Sequence, residues 1–80
     1  MTVRLVFLGK LADLAGVPEM DVAGPLDWQG LIAALPGSLG EAVRGEKVKL
    51  AVNGTVLSEK TALTAADGDE VALLPPVSGG

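Results

Sequence analysis

The chain contains no cysteine, no histidine and no tyrosine. Without cysteine there is no disulfide framework, no thiolate zinc site and no thiol nucleophile. Without histidine the commonest general base, the Ser-His pair and the commonest metal ligand are missing. Aromatic residues are limited to Phe7 and Trp28, too few for a base-stacking platform. Cations are scarce, six against ten acids, and the net charge of −4 argues against a free-standing nucleic-acid binder. Long apolar runs are absent as well. None approaches the roughly 20 residues of a membrane span. The N-terminal MTVRLVFLGK carries too short an apolar run for a signal peptide, so a soluble, cytoplasmic protein is expected.

What is present is a small chain rich in aliphatic residues, 49% hydrophobic over 80 residues. One domain is expected, burying roughly 60% of the surface its unfolded chain exposes. So small a core leaves little to give up for an internal cavity, which places function on the surface or at a chain end.

Val3, Leu5 and Phe7 alternate with Arg4, Val6 and Leu8, and the segment is apolar on both faces, as in a central strand. Leu11, Leu14 and Ala15 then repeat at helical spacing from Lys10 to Ala15, and Gly16 with Pro18 stops them. Pro18 to Ala23 alternates Met20 and Val22 with Glu19 and Asp21, an edge strand with one wet face. Gly24-Pro25-Leu26-Asp27 reads as punctuation, with Asp27 as the N-cap of a helix over Trp28 to Leu35. Pro36-Gly37 breaks that helix, and Ser38 is expected to cap a further turn over Leu39 to Arg44.

Val48 to Val52 alternates again. Asn53-Gly54 follows, then Thr55-Val56-Leu57, the strongest short-range hairpin signal. Ser58 to Ala66 has little pattern, Asp67-Gly68-Asp69 is a turn, and Glu70 to Leu74 is a final strand. In it Val71 and Leu73 face one way, Ala72 and Leu74 the other. The expected architecture is α+β: a mixed sheet with its first and last strands central, packed on one main helix with short extra helices.

The segment after Leu74 carries the functional signal. Pro75 and Pro76 cannot donate to a sheet ladder, so the strand stops there. Consecutive prolines favour a stiff, extended conformation, whereas Gly79 and Gly80 carry no side chain. From Pro75 onward the six residues can span roughly 20 Å. Residues 1–74 therefore read as the folded unit and 75–80 as a projecting arm with a slim tip. The plainer alternative, a frayed end, does not explain stiffness placed just before glycine. The functional reading makes the Gly80 carboxylate the reacting group, threaded into a channel too narrow for a Cβ.

Asp67-Gly68-Asp69-Glu70-Val71, then Pro75-Pro76-Val77, then Gly79-Gly80 resembles the small, sulfur-carrier subunits of molybdopterin synthase, within the ubiquitin-like sulfur carriers. VRLVFLGKLADLAG and Ala51-Val52-Asn53-Gly54 extend the resemblance over nearly the whole chain. It implies a ubiquitin-like β-grasp fold. It also implies that Gly80 is adenylated by an ATP-dependent, E1-like adenylyltransferase, converted to a thiocarboxylate by a sulfur donor, and presented to the large synthase subunit. There sulfur passes to a cyclic pyranopterin phosphate to form the molybdopterin dithiolene. On this reading the chain is a carrier and not an enzyme. It binds no cofactor or metal of its own, ATP being used by the activating partner, and engages neither nucleic acid nor membrane. Leu74, Pro75, Pro76, Val77, Ser78 and Gly79 are its expected partner-binding residues. The rivals are a sulfur carrier for thiamine or tRNA thiolation, a ubiquitin-like modifier joined to target lysines, and an interaction module with an inert end.

Other residues carry plainer readings. Asp67, Asp69 and Glu70 form a solvated acidic turn, too short to wrap calcium. Arg44, Lys47 and Lys49 suit an exposed loop and strand face. Trp28 is read as a partly buried structural residue, Lys10 and Lys60 as solvent lysines. Ser38, Ser58 and Ser78 have no histidine to activate them. Leu74 marks an interface if it faces away from the core.

Overall fold

The computed structural model describes residues 1–76. Strand β1 (Thr2–Phe7) is followed by helix α1 (Lys10–Ala15) and strand β2 (Glu19–Ala23). A short strand β3 (Leu26–Asp27) leads into helices α2 (Trp28–Ala34) and α3 (Gly37–Arg44). Strands β4 (Lys49–Val52) and β5 (Thr55–Val56) form a hairpin. A 3-10 turn (Lys60–Ala62), β6 (Thr64–Ala65) and β7 (Glu70–Leu74) complete the described chain. The main sheet has the order β2-β1-β7-β4-β5. β1 and β7 run parallel inside it, and their other neighbours are antiparallel. The first and last strands are therefore interior, as their aliphatic content predicts.

Local chemistry accounts for most of the element ends. The Asp27 carboxylate accepts a hydrogen bond from the Gly30 N–H at 2.7 Å and caps α2. α1 stops at Gly16, whose N–H donates back to the Ala12 carbonyl. At the β4–β5 turn Asn53 and Gly54 have φ of 50° and 87°, the positive pair a type I′ turn requires.

Three expectations are corrected. Ser38 does not cap α3, which begins at Gly37 after Pro36 and has no side-chain cap. Leu26–Asp27 is a strand, pairing antiparallel with Thr64–Ala65 in a separate two-stranded sheet. β1 is covered on one face only, with burial alternating along it. The helical layer is shared between α2 and α3, divided at Pro36-Gly37 as the sequence suggests.

The centre of the core lies between the main sheet and the helices, and Leu26, Leu63 and Ala65 extend it toward the small sheet. Val3, Leu5 and Phe7 of β1 meet Val71 and Leu73 of β7 and Leu50 of β4. Leu11, Leu31, Leu39 and Val43 close over them from the three helices. Each fully buried leucine contributes about 1.5–3 kcal/mol of transfer free energy. No polar or charged residue is buried among the described residues.

Candidate functional site

The site is the place where the chain leaves the sheet. β7 is the middle strand of five, and it runs into Pro75 and Pro76 without an intervening loop. The strand ends there because neither proline has an N–H for the ladder. Leu74 is half-buried on the face opposite Leu73, so it points away from the core.

On that uncovered face the strand registers align small and aliphatic side chains. Val6 pairs with Ala72, Ala72 with Ala51, and Ala51 with Val56, a row crossing four strands. Val56 is 56% exposed and Leu8 41%, whereas Ala51 is shielded by its neighbours. Leu74 lies beside this row and pairs across the strands with Lys49. The far side of the face is charged. Arg4 stands between Asp21 and Glu70 and reaches Asp21 at 3.5 Å and Glu19 at 3.8 Å. These exposed pairs are worth at most about 1 kcal/mol each. The result is an apolar centre next to the root of the tail, bordered by a cation at the root and by carboxylates at the opposite side.

Pro75 is half-buried and Pro76 exposed. Pro75 packs beside Gly9, where an added Cβ would lie 3.1 Å from Pro75 Cγ. The local pattern marks Gly9 only as the end of the first strand. Only the parallel register of β1 with β7 brings it to the root of the tail. The expectations for Val77, Ser78, Gly79 and Gly80 lie outside the described residues.

The titratable groups set off by their surroundings belong to the scaffold. Asp69, expected in a solvated turn, accepts hydrogen bonds from the Ala66 N–H at 2.9 Å and Asn53 Nδ2 at 3.1 Å. These hold its carboxyl below the usual aspartate range, the Ala66 bond contributing most. The Glu70 N–H in turn donates to Asn53 Oδ1 at 3.0 Å. Lys60 is not the free solvent lysine expected. Its ammonium donates to the carbonyls of Gly45 and Val48 and sits 5.9 Å from the Trp28 ring centroid. Desolvation, then Lys49, lower its pKa from the ordinary lysine value, against an opposing pull from Glu46. Trp28 is half-buried against the core, the structural role expected. Arg44, Lys47 and Lys49 are exposed, also as expected.

Among the described residues no group of three or more acidic, histidine or cysteine side chains could hold a metal ion. No helix there is long and apolar enough to cross a membrane. Where the chain leaves the sheet, the described surface offers an apolar platform beside the departing end.

Comparison with known proteins agrees with this geometry. The model of the ThiS family matches residues 5–80. A molybdopterin synthase sulfur carrier subunit from Escherichia coli (strain K12) is 33% identical over 82 residues, covering 98% of this chain and 99% of that protein. Among solved structures, a complex of subunits 1 and 2 of the molybdopterin-converting factor from Helicobacter pylori 26695 contains a similar chain. Its TM-score is 0.67 at 26% identity, and each chain is covered fully. SAMP1 from Haloferax volcanii matches over the full length of both chains with a TM-score of 0.69 and 26% identity. The ubiquitin-like β-grasp of these structures is the fold seen here.

Proposed function

The chain belongs to the ThiS family, and from that premise we propose that it is the sulfur-carrier subunit of a molybdopterin synthase. The observation that carries the reading is the path of β7: the central strand passes straight into Pro75-Pro76 beside an uncovered apolar row. A carrier needs a rigid body, a docking platform and a slim reactive end close together.

The chemistry follows from the terminal carboxylate. Hydroxide and oxide are poor leaving groups, so the Gly80 carboxylate first attacks the α-phosphate of ATP on an activating adenylyltransferase. Pyrophosphate leaves and an acyl adenylate remains. A sulfur donor then displaces AMP at the carbonyl carbon, giving a thiocarboxylate. Sulfur is the better nucleophile of the two atoms it now presents. On the large synthase subunit the loaded end attacks a cyclic pyranopterin phosphate on the way to the dithiolene. Partners supply the acid–base and phosphate-binding groups, a division that suits a chain without histidine or cysteine. Leu74, Pro75 and the Val6–Ala72–Ala51–Val56 row form the docking platform. Pro76, Val77, Ser78 and Gly79 are the segment we assign to thread the partner's channel behind the reacting carboxyl.

The test is the intact mass of the full chain after incubation with ATP, a sulfide source and its activating enzyme. One oxygen replaced by sulfur at Gly80 is the expected result, abolished by deleting Gly80 or by Gly79→Phe. A Gly80-deleted chain that still supports cofactor synthesis overturns the reading. A second reading, a modifier joined to target lysines, has the likeness to SAMP1 in its favour. It requires higher-mass conjugates in host extract and no sulfur gain.

A further inference from the structure

Delivery of a chain end requires that the end be aimed, and one contact bears on its root. The last Cα pair of the β1–β7 ladder is Phe7 with Leu73. Two residues further along each strand, the same parallel register sets Gly9 beside Pro75. The Leu8 N–H donates to the Leu73 carbonyl at 3.3 Å, carrying the pairing up to that point. The contact is tight, so a side chain at position 9 would press on the Pro75 ring. A Cβ at Gly9 would stand 3.1 Å from Pro75 Cγ and 3.9 Å from Pro75 Cβ.

Gly9 also holds φ 54° and ψ −130°, the mirror image of ordinary extended backbone. Such a conformation is open to glycine and strained for other residues. The backbone favours glycine, and an added Cβ would in addition displace the Pro75 ring by a few tenths of an ångström. Position 9 is fixed from the helix side too, since its carbonyl accepts from the Ala12 N–H at 3.1 Å in the first turn of α1. The Pro75 ring, one residue past the strand, is half-buried. Because the ring also locks φ near −65°, a seated Pro75 sets the direction in which the chain departs.

We infer that Gly9 is a positioning residue: it is the flat seat on which the Pro75 ring rests, and it aims the tail at a partner's active site. The inference rests on the terminal-carboxylate reading and goes beyond it, assigning the aim of the tail to the folded body. From Pro75 the reacting carboxyl is up to about 20 Å of chain away. Reacting atoms misplaced by about 1 Å can lose on the order of 10²-fold in rate.

The experiment uses the full chain and three variants, Gly9→Ala, Pro75→Ala and the two combined. Single-turnover thiolation at saturating activating enzyme gives the rate of the bound complex, and calorimetry gives its affinity. Gly9→Ala is expected to slow the saturated rate about tenfold while affinity changes less than about twofold, the signature of misaimed reacting atoms. The combined variant is expected to be no slower than the slower single one, because both remove the same contact. Loss of affinity with an unchanged saturated rate overturns the inference and makes Gly9 part of the docking surface. Additive losses overturn it as well. If strain unfolds Gly9→Ala, Pro75→Ala must still slow the saturated rate. A nuclear Overhauser effect between Gly9 Hα and the Pro75 ring must also be present in the unaltered chain. Its absence removes the seat. An unaltered chain thiolated at Gly80, with variants equally fast, sinks this inference alone. An unaltered chain that is never thiolated sinks the carrier reading beneath it.

Discussion

The two faces of the five-stranded sheet come from the same strands and serve opposite ends. On one, Val3, Leu5, Phe7, Leu50, Val71 and Leu73 are buried under three helices. On the other, Val6, Ala72, Leu74 and Val56 stand uncovered among charges. A helix-covered face must be filled, so its residues are large and interlocked. An uncovered face could be wholly polar, yet this one keeps an apolar row across its centre, with Lys49 beside the root of the tail and Arg4 with its carboxylates on the far side. That retained patch has no use in the isolated fold, and contiguous exposed apolar surface marks an interface. One face holds the molecule together, and the other is the one we propose docks a partner.

The largest effect is expected on the covered face. Leu50→Ala should lower unfolding free energy by about 2–5 kcal/mol in urea, through lost transfer energy and a cavity. A loss below about 1 kcal/mol would erase the contrast between the faces. Next comes the uncovered face, where Leu74→Asp should weaken binding to the large subunit at least about tenfold, or about 1.4 kcal/mol. Its melting temperature should hardly move, and unchanged affinity by calorimetry would show that the patch is no anchor.

Smaller effects separate the scaffold from both faces. Asp27→Ala removes the α2 cap and should cost about 1 kcal/mol of stability while leaving partner binding intact. The last is a pH dependence. Asp69 has a lower pKa folded than unfolded, so the unfolded state binds the proton more tightly. Its contribution is fully present above the ordinary aspartate pKa of about 3.9 and disappears as pH falls through the lower folded value. Asp69→Asn should flatten that acid limb of the stability curve while partner binding at neutral pH stays unchanged.

Elements with a sustained period were legible in the sequence. Val3, Leu5 and Phe7 alternate over enough residues to define a strand, and so do Val71 and Leu73, whose bounds Glu70–Leu74 match the structure. Leu11, Leu14 and Ala15 located α1 from Lys10 to Ala15. The β3–β6 pair was hidden because two residues cannot show a period, and Leu26-Asp27 also borders a helix cap. The start of α3 was misplaced because Ser38 resembles a capping residue, while the helix begins at Gly37, two residues before the expected Leu39. The Lys60 and Asp69 contacts are long-range in the chain or depend on the closed fold. Alternation across the final strand did separate Leu74 from Leu73. Gly9 read only as the residue that ends the first strand, and its place at the root of the tail emerged with the register.

Parallel pairing of β1 with β7 also governs when the molecule can exist during synthesis. Leu5 cannot close its ladder until Val71 has been made, nearly the whole chain later. Contacts of such sequence separation form slowly and late. A chain interrupted before residue 70 lacks the middle strand of its sheet and has no completed core. By the time the body can fold, translation has already reached the root of the tail. The folded body and the segment that follows it are therefore completed almost together, and an unfinished chain has neither.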